Sequence, residues 1–160
     1  LPIEYLIKEA SRHDVDVYER PMKASIKGLY ADNVIWINSN IQTESEKCCI
    51  LAEELGHYHT SYGHILDQSN LTNRKQEHRA RNWAYEQLVS LPKIVQAYQE
   101  GVSGRYELAE YLQVTEEFLQ AAIDRYRDKL GSYVCLDDYV ITFDPLDVII
   151  RGITDENHGM

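Results

Sequence analysis

Apolar side chains recur along this chain with two different periods, and the periods divide it into elements. Ile3, Leu6, Ile7 and Ala10 fall at helical spacing, which predicts a short amphipathic helix ending near His13-Asp14. Val15 and Val17 then alternate with polar residues as far as Pro21. Segments 25–30 and 34–38, rich in β-branched and aromatic residues, flank the turn signal Ala31-Asp32-Asn33. Together they predict a small antiparallel sheet. Thr43 or Ser45, with Glu44 and Glu46 where acids suit the helix dipole, opens a helix running through Ile50, Leu51, Glu54, Leu55 and Tyr58.

After a polar loop containing Gly63 and 67–70, a second strong helix is expected over about 73–89. Ala80, Trp83, Ala84, Gln87 and Leu88 share one of its faces, and it stops before Pro92. Two shorter helices follow at about 94–100 and 106–112. Thr115, followed by Glu116 and Glu117, is an N-cap signal for a helix ending at Gly131. The tail beyond Asp144-Pro145 shows no clear period, and no internal repeat is visible. The pattern reads as α+β: a sheet packed on two long helices over 1–92, then a helical region over 93–160.

Composition narrows the function. The 160 residues carry 16 Lys+Arg against 26 Asp+Glu, a formal charge of −10, and 44% are hydrophobic. This is the composition of a globular domain, not of a collagenous or disordered chain. An acidic chain is also a poor non-specific ligand for phosphate backbones, so direct nucleic-acid binding is not expected. No stretch is long and apolar enough to suggest a membrane helix, and the first residues lack a secretory pattern. Cys48, Cys49 and Cys135 form no C-x-x-C pair, which predicts a reducing, cytoplasmic setting, with Cys48 acting as a small buried hydrophobe.

The segment most informative about chemistry is 51–59, Leu-Ala-Glu-Glu-Leu-Gly-His-Tyr-His. Residues four apart on a helix lie over one another, so Glu53 and His57 can reach one ion, with Glu54 beside them. The layout is that of the zincin motif H-E-x-x-H with Glu53 in the place of the first His. Zinc hydrolysis needs three protein ligands, an open position and a carboxylate that takes the water's proton. His57 is suited to ligation and Glu54 to the role of base. A carboxylate at position 53 lowers the net positive charge of the site and makes Mn²⁺ or another oxygen-preferring ion a candidate beside Zn²⁺.

These residues resemble the ImmA/IrrE metallopeptidases of bacteria and their mobile elements. The resemblance extends to the strand segments 26–30 and 35–38, which look like the prophage-borne branch. It also extends to Glu77, Ala80, Trp83 and Ala84, which stand at the spacing of the family pattern E-x-x-A-x-x-[FW]-A. It covers residues 1–92 best and implies that Glu77 supplies the third metal ligand. It implies a cytoplasmic metal-dependent endopeptidase that cuts a regulatory protein such as a helix-turn-helix repressor. The competing class is an antirepressor that captures the repressor without cutting it.

Several residues carry alternative readings. His64 and Asp67 are candidate substitutes for Glu53. His59, His64 and His78 are candidate spare ligands, but His59, about 200° around the helix from His57, is expected to pack or face solvent. Trp83, Tyr58 and Tyr62 read as core or pocket wall. The spacing over 106–123 is that of a helix-turn-helix. With only Arg125, Arg127 and Lys129 nearby, it is expected to serve as scaffold or as a surface for a protein partner.

Overall fold

The computed structural model describes residues 1–60 and 70–151, with side chains in the third helix from residue 73. It is an α+β structure. Helix α1 (Pro2–Arg12) has proline in its first turn, where the missing N–H costs nothing, and buries Leu6 and Ala10. Strands β1 (Asp16–Arg20), β2 (Gly28–Ala31) and β3 (Val34–Asn38) form the first sheet, in the order β1-β3-β2.

The expected hairpin is β2–β3. Asp32 and Asn33 both take positive φ, 50° and 63°, as a two-residue turn between twisted strands requires. The expectation of a purely antiparallel sheet needs correction, because β1 pairs with β3 in parallel, Asp16 opposite Val34 and Arg20 opposite Asn38. Parallel pairing is possible because residues 21–27 cross the end of β3 and deliver β2 to its far edge. Asn38 holds that crossing. Its amide donates to the carbonyls of Met22, Lys23 and Ile26 at 3.2, 3.1 and 2.8 Å, and its Oδ1 accepts from the Met22 and Asn40 N–H groups. Asn38 is buried, and the satisfied amide makes that burial tolerable.

Helix α2 (Glu44–Thr60) opens on Thr43, whose hydroxyl accepts from the Glu46 N–H at 3.2 Å. It passes between the sheet and α3 (Asn70–Leu88), burying Cys48, Cys49, Leu51, Ala52, Leu55 and Gly56. The two helices touch backbone to backbone. A Cβ at Gly56 would lie 2.2 Å from the Ala80 carbonyl oxygen, so no larger residue fits unless the helices part. On the other side of α2, a Cβ at Gly28 would stand 2.7 Å from Ile50 Cγ2 and 3.2 Å from Glu54 Cγ, so glycine lets β2 lie directly on the motif helix.

Helices α4 (Leu91–Gln99), α5 (Arg105–Leu112) and α6 (Glu116–Leu130) follow. Helix α4 starts earlier than expected because Ser90 caps it, accepting from the Lys93 N–H, and Pro92 belongs to its first turn. Thr115 caps α6 through the Phe118 N–H, and Gly131 ends it at φ 89°. A second correction concerns the remainder, expected to be helical with an aperiodic tail. Strands β4 (Tyr133–Leu136), β5 (Tyr139–Phe143) and β6 (Leu146–Ile150) make an antiparallel meander. Its short strands bury only alternate residues such as Ile141, Phe143 and Val148, too few repeats to register as a period. One hydrophobic core runs from Leu6 through Leu51, Leu55 and Leu88 to Leu119 and Val148, drawing on both sides of residue 92. The Tyr126 hydroxyl donates to the Val89 carbonyl at 2.8 Å and ties α6 to the end of α3.

Candidate metal centre

Glu53, Glu54 and His57 project from α2, and Glu77 from α3, on either side of the Gly56–Ala80 contact. His57 Nε2 stands 3.3 Å from Glu77 Oε1, so the two helices bring an imidazole and a carboxylate together across their crossing. Glu77 is exposed, while Glu53, Glu54 and His57 are half-buried. Glu53 enters through its charge. Burial pushes its carboxyl above the usual carboxylate range, Glu77 adds to the rise, and Arg81 and Lys27 oppose it. The Glu54 carboxyl is pushed up to about 7, first by burial and then by the negative charges of Glu53 and Glu77. A group with its pKa near neutrality can hold or release a proton at working pH, which is what a general base requires.

The donor set of Glu53, His57 and Glu77, two carboxylates and one imidazole, suits a divalent cation. Three carboxyl groups around one imidazole repel one another, and a positive ion among them would relieve that repulsion. The set is nevertheless less closed than another nearby. Among the described residues, the group whose ligand atoms all lie within 4.8 Å of one another is Glu9, His13 and His59. Glu53 does not join His57 and Glu77 in a group that tight.

The other sequence candidates distribute as follows. His59 packs, as expected: its ring stacks on Trp83 with centroids 4.5 Å apart and meets His13 edge-on at 4.9 Å. Tyr58 lies against His13 and, more distantly, Tyr30. Trp83 packs on the core. Cys48 is buried, and burial pushes its thiol up to about 11 and that of Cys49 to about 12. His78 is exposed on α3. Tyr62, His64 and Asp67 lie outside the described residues. Glu9 and His13 went unnoticed in the sequence, although Glu9-x-x-x-His13 repeats the four-residue Glu-to-His spacing of the motif. A cleft of about 660 Å³ lies away from all of these donors, between α4, α5 and the C-terminal sheet, and is lined by Tyr98, Arg105, Phe143 and Asp147.

The family model Peptidase_M78, described as the IrrE N-terminal-like domain, matches residues 10–124, well over half of the chain. The match takes in both long helices and the first sheet. Among curated proteins none matches. No helix among the described residues is long and apolar enough to cross a membrane.

Proposed function

The chain belongs to the ImmA/IrrE family of metallopeptidases, and from that premise we propose that it is a cytoplasmic, divalent-metal endopeptidase acting on a helix-turn-helix repressor of a mobile element. The observation that carries the reading is the meeting of His57 and Glu77 across α2 and α3, beside a Glu54 carboxyl raised to about 7. Glu53, His57 and Glu77 would hold the ion, Zn²⁺ in the first place and Mn²⁺ as the second candidate, because oxygen donors outnumber nitrogen. A divalent cation bound there supplies Lewis acidity toward a peptide carbonyl.

The remaining work falls to the chain's own groups. Glu54 would take a proton from the attacking water and return it to the departing amide nitrogen; burial, the first cause of its raised pKa, persists with an ion bound, whereas the ion would offset the part due to Glu53 and Glu77. Strand β2 is an edge strand lying directly on Ile50 and Glu54, and its outer side pairs with no strand among the described residues. An extended substrate segment can therefore add to the sheet there and be held by backbone hydrogen bonds beside the base. The formal charge of −10 favours a basic partner, and a DNA-binding repressor is one.

The test is co-expression with a basic helix-turn-helix repressor encoded beside this chain, with the repressor followed by blotting. A fragment is expected with the unaltered chain and none with Glu54→Gln, which retains the side chain's shape and cannot accept a proton. A stable complex in which the repressor stays intact with both versions, even with added zinc or manganese, would make the protein an antirepressor instead.

A further inference from the structure

The last turns of α1 and α2 meet at a cluster that the peptidase reading does not use. Glu9 in the last turn of α1 and His13, the C-cap residue of that helix, lie four residues apart, and His13 Nε2 is 2.9 Å from Glu9 Oε1. His59, in the last turn of α2, completes a group of three donors within 4.8 Å of one another. His59 Nε2 is buried and, among the described residues, has no hydrogen-bond partner, a cost that a satisfied structure avoids. Trp83 stacks on the His59 ring and restricts its rotation. On Glu9, the neighbouring polar groups are the exposed Arg12 guanidinium at 3.8 Å and the Tyr5 hydroxyl at 3.4 Å, both on the same helix.

We propose that Glu9, His13 and His59 form a second divalent-cation site, distinct from the motif centre, that braces α1 against the end of α2. Two imidazoles and one carboxylate are a donor set that zinc takes in proteins, with a fourth position left for water. The set has twice the nitrogen donors of Glu53, His57 and Glu77, so Zn²⁺, which favours imidazole more than Mn²⁺ does, enters here first. His57 and His59 are two residues apart, which turns them about 200° from each other around α2, so one ion cannot serve both sets. The motif helix is thereby held from its two sides, by Glu77 on α3 and by the α1 pair.

The experiment is a calorimetric titration of Zn²⁺ into the full chain after removal of metal by chelation, compared with His13→Ala, Glu9→Gln and His57→Ala. His13 is partly exposed at the end of α1 and Glu9→Gln keeps the side chain's shape, so neither change should unfold the chain. The unaltered chain is expected to take up two ions. His13→Ala and Glu9→Gln should each weaken the tighter event by roughly 10²-fold or more, since even outer-sphere partners of a ligand are worth 10–100-fold. His57→Ala should leave that event unchanged and remove the weaker one. Identical titrations for the unaltered chain, His13→Ala and Glu9→Gln would overturn the proposal. A single event lost in His13→Ala and kept in His57→Ala would uphold this site while removing support for the motif centre. A single event with the opposite pattern would do the reverse. As a second readout, zinc should raise the melting temperature of His57→Ala and leave His57→Ala/His13→Ala unmoved; equal shifts in both would also overturn it.

Discussion

The two faces of α2 carry the donors proposed above for metal, assembled in different ways. The motif face takes Glu53 and His57 from one stretch of helix, adds Glu77 from α3, and offers one imidazole against two carboxylates. The opposite face takes His59 alone from α2 and borrows Glu9 and His13 from a helix that ends more than forty residues earlier, offering two imidazoles against one carboxylate. The contiguous set lies beside a carboxyl raised to about 7 and an open strand edge, whereas the dispersed set lies against Trp83 and Tyr58 with no such base. Aptitude for catalysis and affinity for zinc are therefore separable properties. The first depends on what stands next to the ion, the second on how many nitrogens reach it.

The comparison breaks most visibly in hydrolysis. Glu54→Gln and His57→Ala should each lower repressor cleavage by roughly 10²-fold or more, whereas His13→Ala should leave it within about threefold under saturating zinc. Quantified fragment yield over time checks this, and an equal loss in all three variants would merge the two faces into one functional unit. Next in size is a change that both faces must feel. Gly56→Ala places a methyl group against the Ala80 carbonyl and should cost about 1–3 kcal/mol or more in urea unfolding. A stability within about 0.5 kcal/mol of the original would mean that α2 and α3 are not in backbone contact.

Glu53→His sharpens the contrast by giving the motif face a second nitrogen. Zinc affinity at that face should rise about tenfold, or ~1.4 kcal/mol, and the two calorimetric events should draw together. Unchanged affinity would place Glu53 outside the ion's reach. The smallest effect concerns the inward side of the same helix. With thiols pushed up to about 11 and 12 by burial, Cys48 and Cys49 hold roughly 10⁻³ and 10⁻⁴ of their population as thiolate at pH 8. Only the exposed Cys135 should react promptly with a thiol reagent in the native chain, rising to all three on denaturation, as mass spectrometry would count.

The sequence makes these two faces legible to different degrees. A 3.6-residue period reveals α2 and α3, and the same period places Glu53, Glu54 and His57 together without knowledge of the fold. Glu77 was reachable only through a family pattern, because nothing local says which residue of α3 turns toward His57. The cluster on the other face escaped notice because Glu9 and His13 resemble any charged helix end until His59 is brought alongside by tertiary packing. Strand direction was hidden for a similar reason. Alternation in 15–17 marks β1 as extended, yet whether it runs with or against β3 is decided by Asn38 and the crossing it holds. In the C-terminal meander β4 buries no side chain fully, β5 two and β6 one, so the pattern is shorter than the window needed to read it.

The Gly56–Ala80 contact has a consequence for how this scaffold can diversify. Because the two motif helices meet through main-chain atoms, the span between their donors is fixed by backbone geometry and not by the bulk of intervening side chains. The residues that would meet a substrate, along β2 and the exposed face of α3, can then vary in size and charge without resetting that span. Recognition of a target protein can drift while the spacing of the proposed donors is inherited unchanged. An engineer retargeting this protein has the same freedom, provided positions 56 and 80 stay small.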